Sequence, residues 1–393
     1  MHDSSHKKYS NPVSATLTGI RDLFRKQTPA GELNPSDRLD GKTVLVDGSS
    51  SGLGFAIAVD VARRGARVIM ACRTGIPEKG EKVKKLSGNP DVKMLHVDFT
   101  DLNSIRQLIT QLHSPSLFGE GVGGGVYSAV EGVGGGVYSA VEGAGGGVYS
   151  AGEGAGGEVY SAGEGPGGGV DIYICNAGIV PKHSRKTPQG LEEMFMVNYL
   201  SKFVFVNLLL EKNCFQDAGR GMQDARYGMR DAGCAIPRII FITSESHRNP
   251  ETFDWEGFGK YREYGIGKSV ELYGYYKLLL TTFSVELSRR LNPGGTTSFS
   301  VFSVCPGPVN SNIAREAPVL FKPLLKLVFG IFFKSPARAA IPAVYLAASQ
   351  DVEGKPFDYL FLMSRQKVDE KAADPDNGRR LWELSETLGK NLK

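Results

Sequence analysis

Lys42-Thr-Val-Leu-Val46 runs straight into Asp47-Gly-Ser-Ser-Ser-Gly-Leu-Gly54 and then into Phe55-Ala-Ile-Ala-Val-Asp-Val-Ala-Arg-Arg64. An apolar β-branched run, a glycine turn and a helix-period pattern thus follow one another without a gap. Glycines let the backbone turn sharply and approach a pyrophosphate. The helix start offers that anion unpaired N–H groups and the positive end of a dipole. A glycine-rich turn is a weak signal alone, but between a strand and a helix it points to a dinucleotide. Ala66-Arg-Val-Ile-Met-Ala71 supplies the next strand at the distance a βαβ unit requires. Gly48, Ser50, Ser51, Gly52, Leu53 and Gly54 are the expected cofactor contacts of the turn.

Cys72 and Arg73 close the second strand, where an NAD-selective site would place a carboxylate for the ribose 2′-hydroxyl. Arg73 can instead face a 2′-phosphate, so NADP (NADPH) is expected over NAD. The competing reading is a solvated surface arginine.

Further along, Tyr273-Gly-Tyr-Tyr-Lys277 places a phenol and an ammonium four residues apart on one helix face. A free phenol titrates near pH ~10, and an adjacent cation lowers that value toward the range useful for proton transfer. A second Tyr-x-x-x-Lys stands at Tyr264-Gly-Ile-Gly-Lys268. Its two glycines each cost roughly 1 kcal/mol in a helix interior, whereas Tyr273 leads into a long amphipathic pattern that Asn292-Pro-Gly-Gly ends. Tyr273 and Lys277 are therefore the expected pair.

Taken in order, these motifs resemble the short-chain dehydrogenase/reductase family, in its retinol-dehydrogenase-like branch, over roughly residues 38–350. Asp47-Gly-Ser-Ser-Ser-Gly-Leu-Gly54 is similar to the family's Thr-Gly-x-x-x-Gly-x-Gly loop. Val97-Asp98-Phe99 is similar to its adenine-binding segment, and Cys175-Asn176-Ala177-Gly178 to its Asn-Asn-Ala-Gly strand end. Asn198, Ser244 and the loop Cys305-Pro-Gly-Pro-Val-Asn-Ser311 fall at further family positions. The resemblance implies a catalytic set of Ser244, Tyr273, Lys277 and Asn198. Ser244 would hydrogen-bond the substrate oxygen, Tyr273 would pass its proton, and Lys277 would hold the nicotinamide ribose and lower the tyrosine pKa. Asn198 would anchor a water relay to the lysine. Asp98, Phe99, Asn176, Ala177, Gly178, Pro306, Gly307 and Val309 would join Tyr273 and Lys277 in holding the cofactor.

Three positions depart from the family pattern. Asp47 replaces threonine, and a carboxylate beside a phosphate cradle is expected to repel the cofactor. Cys175 replaces the first asparagine of its motif, and Ser201 stands where a glycine is common.

Two repetitive tracts interrupt the pattern. Residues 119–169 carry an eleven-residue glycine-rich repeat with tyrosines at 127, 138, 149 and 160, and 216–234 repeats every seven residues. Glycine maximises the entropy lost on ordering, and each unit offers a core little beyond a valine and a tyrosine, so the first tract is read as a disordered loop insert. A stack of short strands is the alternative. The expected organisation is a polar extension (1–37), one α/β domain (38–350) interrupted by the two inserts, and a C-terminal extension with a helix (351–393). Its fold class is a Rossmann-type, doubly wound parallel sheet with helices on both faces.

A net charge of +4 is too slight to imply nucleic acid. Five scattered cysteines lack metal spacing and are read as reduced thiols in a cytoplasmic protein. No signal peptide or spanning segment is expected near the start. The apolar stretch 318–333, broken by Lys322, Pro323 and Lys326, reads equally as a core helix or as a flap over a lipophilic substrate that touches a membrane surface. A homodimer is compatible with this reading. The expected activity is NADP-dependent interconversion of a lipophilic alcohol and its carbonyl. The competing class is a catalytically impaired relative that serves as a binding module, favoured by Asp47 and the large insert.

Overall fold

The structure is a computed structural model, and it describes residues 29–113, 117, 169–216, 236–309 and 335–392. The expectations for residues 1–28, nearly all of both repeats, Cys234 and the apolar stretch 318–333 lie outside these residues.

One eight-stranded sheet organises the chain, in the order β3-β2-β1-β4-β5-β6-β7-β8. Its strands are β1 (Thr43–Asp47), β2 (Arg67–Cys72), β3 (Val92–His96), β4 (Ile172–Cys175), β5 (Arg238–Ile242), β6 (Ser300–Cys305), β7 (Phe357–Phe361) and β8 (Ser364–Arg365). Every pairing is parallel except β7 with β8. The helices are α1 (Gly52–Arg63), α2 (Glu78–Ser87), α3 (Leu102–Leu112), α4 (Glu193–Glu211), α5 (Ile266–Leu291), α6 (Pro336–Ala348), α7 (Glu370–Ala373) and α8 (Pro375–Asn391).

Side chains alternate across each strand, so the sheet buries two different cores. Val44, Val46, Ile172, Ile174 and Ile240 face α1 and α6, joining Ile57, Val61 and Val344. Leu45, Tyr173, Cys175 and Phe241 face the other way, onto α3, α4 and α5 through Leu108, Phe205 and Phe283. Leucine, isoleucine or phenylalanine buried this completely contributes about 1.5–3 kcal/mol apiece. The continuous apolar runs of β1 and β5 follow from burial on both faces.

Helix α4 contains one wide turn, Met196–Leu200, with π-type bonding between two α-helical pieces. It is long and apolar enough to cross a membrane by length and composition, yet 72% of its most apolar window is buried inside the fold as a core helix.

The sheet does not stop at residue 350. Strands β7 and β8 extend it, and Trp382 of α8 packs against Phe203 and Phe283, with Tyr199 Oη and Ser385 Oγ 2.6 Å apart. The expected C-terminal extension is therefore part of the domain. Its helix seals the α4–α5 face.

Candidate active site

Because β1 to β7 run parallel, their carboxyl ends share one edge, and the expected site residues follow those ends. Gly48–Gly54 come after β1, Arg73 after β2, Asp98 after β3, Asn176–Gly178 after β4, Ser244 after β5 and Pro306–Val309 after β6. The strand order reverses direction between β1 and β4, and a crevice at such a switch point is where doubly wound sheets bind ligands.

The glycine turn closes on the end of β4. Gly48 has φ +59°, and a Cβ there would lie 2.8 Å from Ala177 Cα. A Cβ on Gly54 would lie 2.6 Å from the Gly48 carbonyl oxygen and would collide with the Asn176 amide. That amide donates to the carbonyls of Asp47 and Gly48, at 3.0 and 3.1 Å. Ser51 begins α1 without a side-chain cap, and the first turn carries no acid, so N–H groups and dipole are left to an anion. These features fit a dinucleotide pyrophosphate.

Asp47 does not face the phosphate cradle, contrary to expectation. Its carboxylate is fully buried and turned toward β4 and α4. It accepts hydrogen bonds from the Asn176 N–H (2.6 Å), the Ala177 N–H, the Tyr173 hydroxyl (2.6 Å) and the Lys202 ammonium (2.8 Å). Lys202, equally buried, also lies 3.5 Å from the centre of the Phe99 ring. The Phe99 ring belongs to the core, edge-on to Phe205.

Arg73 stands at the rim, mostly exposed, 3.7 Å from Asp98 Oδ2. Asp98 is held in turn by the Thr100 N–H and hydroxyl. Gly307, at φ +76°, turns the loop after β6 against Leu362.

Ser244, Tyr273, Lys277 and Asn198 converge. Ser244 acts to lower the pKa of the Tyr273 phenol, but burial outweighs it and raises the value. The Ser246 hydroxyl donates to Ser244 Oγ at 2.9 Å, and sequence reasoning did not foresee this second serine. Lys277 Nζ lies 5.6 Å from the centre of the Tyr273 ring and donates to the Ile242 carbonyl at 2.8 Å. Burial lowers the Lys277 pKa to about 8. Burial dominates both groups and drives both toward their neutral forms. Asn198 spends its amide on Ile179, accepting from its N–H at 2.8 Å and donating to its carbonyl at 2.9 Å. A Cβ on exposed Gly178 would lie 3.3 Å from Asn198 Oδ1 and 3.7 Å from Lys277 Nζ, so this glycine leaves the floor of the crevice open.

The rival tyrosine is committed elsewhere. Tyr264 precedes α5, is buried, and donates to Glu192 at 2.8 Å, while Lys268 is exposed.

The profile of the short chain dehydrogenase family matches residues 42–116. Human retinol dehydrogenase 14 is 30% identical over 374 residues, covering 90% of this chain and 88% of the relative. The chain belongs to the short-chain dehydrogenase/reductase family. Mouse retinol dehydrogenase 14 (29% over 385 residues, 94% of this chain and 92% of the relative) places it in the retinol-dehydrogenase-like branch. In fold it is similar to an uncharacterized protein from Mycobacterium Paratuberculosis (TM-score 0.55, 24% identity, covering 93% of this chain and 98% of that one). A Serratia marcescens short-chain dehydrogenase/reductase mutant is comparable (TM-score 0.50, 20% identity, 86% and 99%). As a member of this family the protein is an NAD(P)-dependent oxidoreductase acting between alcohols and carbonyls.

Proposed function

We propose that this short-chain dehydrogenase/reductase is an NADPH-dependent reductase of a lipophilic carbonyl compound. The observation that carries the reading is the meeting of Ser244, Tyr273 and Lys277 beside the Gly48–Gly54 cradle. A bound nicotinamide supplies the hydride. Gly48, Ser50, Ser51, Gly52, Leu53 and Gly54 would hold its pyrophosphate, Asp98 the adenine, and Asn176–Gly178 with Pro306, Gly307 and Val309 the nicotinamide end. Ser244 Oγ, aligned by Ser246, donates to the substrate oxygen and polarises the carbonyl. Tyr273 gives up its phenolic proton to that oxygen. A phenol kept protonated by burial suits this acid role. Lys277, close to neutrality at pKa about 8, takes part in restoring the proton, with Asn198 beside it.

Arg73 supports the choice of NADPH, because its exposed guanidinium at the crevice rim is free to accept a second anion beside Asp98. Retinol dehydrogenase relatives make retinoid-like alcohols and aldehydes the first substrates to test. A homodimer, cytoplasmic placement and membrane contact through 318–333 remain part of the proposal.

Two observations weigh against the alternative of a catalytically impaired binding module. Asp47 is paired and turned from the cradle, and the described residues that flank the repeats lie where the strands begin, away from the carboxyl edge. Purified protein should reduce a long-chain or retinoid aldehyde with NADPH, and Tyr273→Phe should abolish turnover while keeping NADPH affinity. A Tyr273→Phe enzyme with near-full activity refutes the acid role. Arg73→Ala should raise the KM for NADPH about tenfold with little change for NADH, as loss of one charge-assisted phosphate contact implies. Equal changes for both cofactors would remove Arg73 from cofactor selection.

A further inference from the structure

The Asp47–Lys202 pair is the most heavily buried charge pair among the described residues, with both side chains at 0% exposure. It lies beneath the crevice, outside the set that handles the substrate. Asp47 Oδ1 binds two consecutive backbone N–H groups, those of Asn176 and Ala177, where β4 ends. Oδ2 takes the Tyr173 hydroxyl and the Lys202 ammonium. The carboxylate therefore laces the end of β1, from which the glycine turn departs, to the strand end that carries Gly178. Each of its acceptor positions is filled, the condition under which a buried ion is tolerated. Lys202 is the only cation bonded to it among the described residues, and it reaches β1 from α4 across the Phe99 ring.

We infer that Lys202 is a positioning residue for the cofactor: it supplies the counter-charge that lets Asp47 hold the glycine turn and the β4 end in register. The inference rests on the reading of this crevice as a dinucleotide site. Without Lys202 the carboxylate is a lone buried charge at the foot of the glycine turn, where it would repel an anion held by that turn and pull the strand ends toward water. With both charges removed, a hydroxyl at position 47 can still accept from the strand-end N–H groups. The pair therefore matters through its balance, and single losses should harm more than the double loss.

The groups around Asp47 bear on how pH acts here. They are Tyr173 and Cys175 of β4, Cys72 of β2, Lys202 of α4 and Lys277 of α5. Near neutrality the thiols and the phenol are uncharged, since burial raises all three. Among the described groups bonded to Asp47, Lys202 alone brings a balancing positive charge.

The experiment titrates NADPH, by nicotinamide fluorescence, into wild type, Lys202→Met, Asp47→Thr and the double variant, with thermal melting of each. Lys202→Met should weaken NADPH at least about tenfold, Asp47→Thr should also weaken it, and the double variant should return to within about threefold of wild type. A purely steric role for Lys202 gives no such rescue by the second substitution. If Lys202→Met does not fold, the double variant decides: folding and binding support the inference, and failure to fold or bind overturns it. Unchanged binding by Lys202→Met, or a double variant as weak as the single, also overturns it. Wild-type protein that binds neither NADPH nor NADH refutes the reading of the crevice itself, which separates the two failures.

Discussion

Replacing Lys277 with methionine should change how the stability of the fold depends on pH. The ammonium is 3% exposed, its hydrogen-bond acceptor is the Ile242 carbonyl, and no carboxylate pairs with it among the described residues. Burial brings its pKa from 10.5 to about 8, and in the unfolded chain it returns to the ordinary value. Below about pH 8 both states carry the proton and the folded state bears the whole desolvation penalty. Between the two values the folded lysine has lost its proton and the unfolded one has not, so this group makes stability rise with pH. At about 1.4 kcal/mol per pH unit the effect amounts to roughly 3 kcal/mol. Cys175, Cys214 and Cys305 act oppositely: burial pushes each to about 12, so they retain protons that the unfolded chain releases near 9. The quantity to measure is therefore the difference between variant and wild type. Urea unfolding followed through Trp255 and Trp382 at a series of pH values provides it. The stability of Lys277→Met relative to wild type should fall by roughly 3 kcal/mol between about pH 7.5 and 10.5. A difference that stays constant across that range refutes an ammonium held without charge compensation.

Other tests follow from the same geometry. Gly54→Ala would push a methyl group to 2.6 Å from the Gly48 carbonyl oxygen and displace the Asn176 amide from its two carbonyl acceptors. Overpacking of about 1–3 kcal/mol should lower the melting temperature and weaken NADPH severalfold; wild-type values for both would contradict the close approach of turn and strand. The chain leaves the described fold after His113 and Gln216 and returns at Gly169 and Ile236, and all four points lie where the strands begin. There Val170 and Phe215 form a short parallel bridge, with Val170 N–H donating to Cys214 at 2.8 Å and Gln216 N–H to Val170 at 3.0 Å. Replacing 119–168 and 217–235 by short glycine-serine loops should therefore keep kcat and KM within about twofold, since loop length changes closure entropy only slowly; a large loss of turnover would tie the repeats to catalysis.

Much of this architecture is written locally. The turn Asp47–Gly54 and the pattern behind Tyr273 each carry their own signal, because glycine placement and helix period are properties of neighbours in sequence. Strand β3, helices α2 and α6, and strands β7 and β8 are not legible in that way. β3 is a half-exposed edge strand, α2 is mostly charged, and β7 joins the sheet only through contacts far along the chain. Asp47 misleads for the same reason: its position in the motif is plain, but its direction is set by Tyr173 and Lys202, 126 and 155 residues away. One signal is available. Lys202 is a lone lysine in the apolar run Met194–Leu210, and a buried charge requires a partner. Phe99 reads as a cofactor contact by motif, although an aromatic ring beside such a lysine is drawn inward.

The widened turn at Met196–Leu200 sets the phase of everything after it in α4. Asn198, inside the turn, is placed against Ile179, and Lys202, just after it, is placed under β1. Successive residues of an α-helix are about 100° apart, so excising one residue from this turn would swing Lys202 more than a quarter of the way around the cylinder. The bulge acts as a gear tooth, meshing one helix with both the loop after β4 and the end of β1.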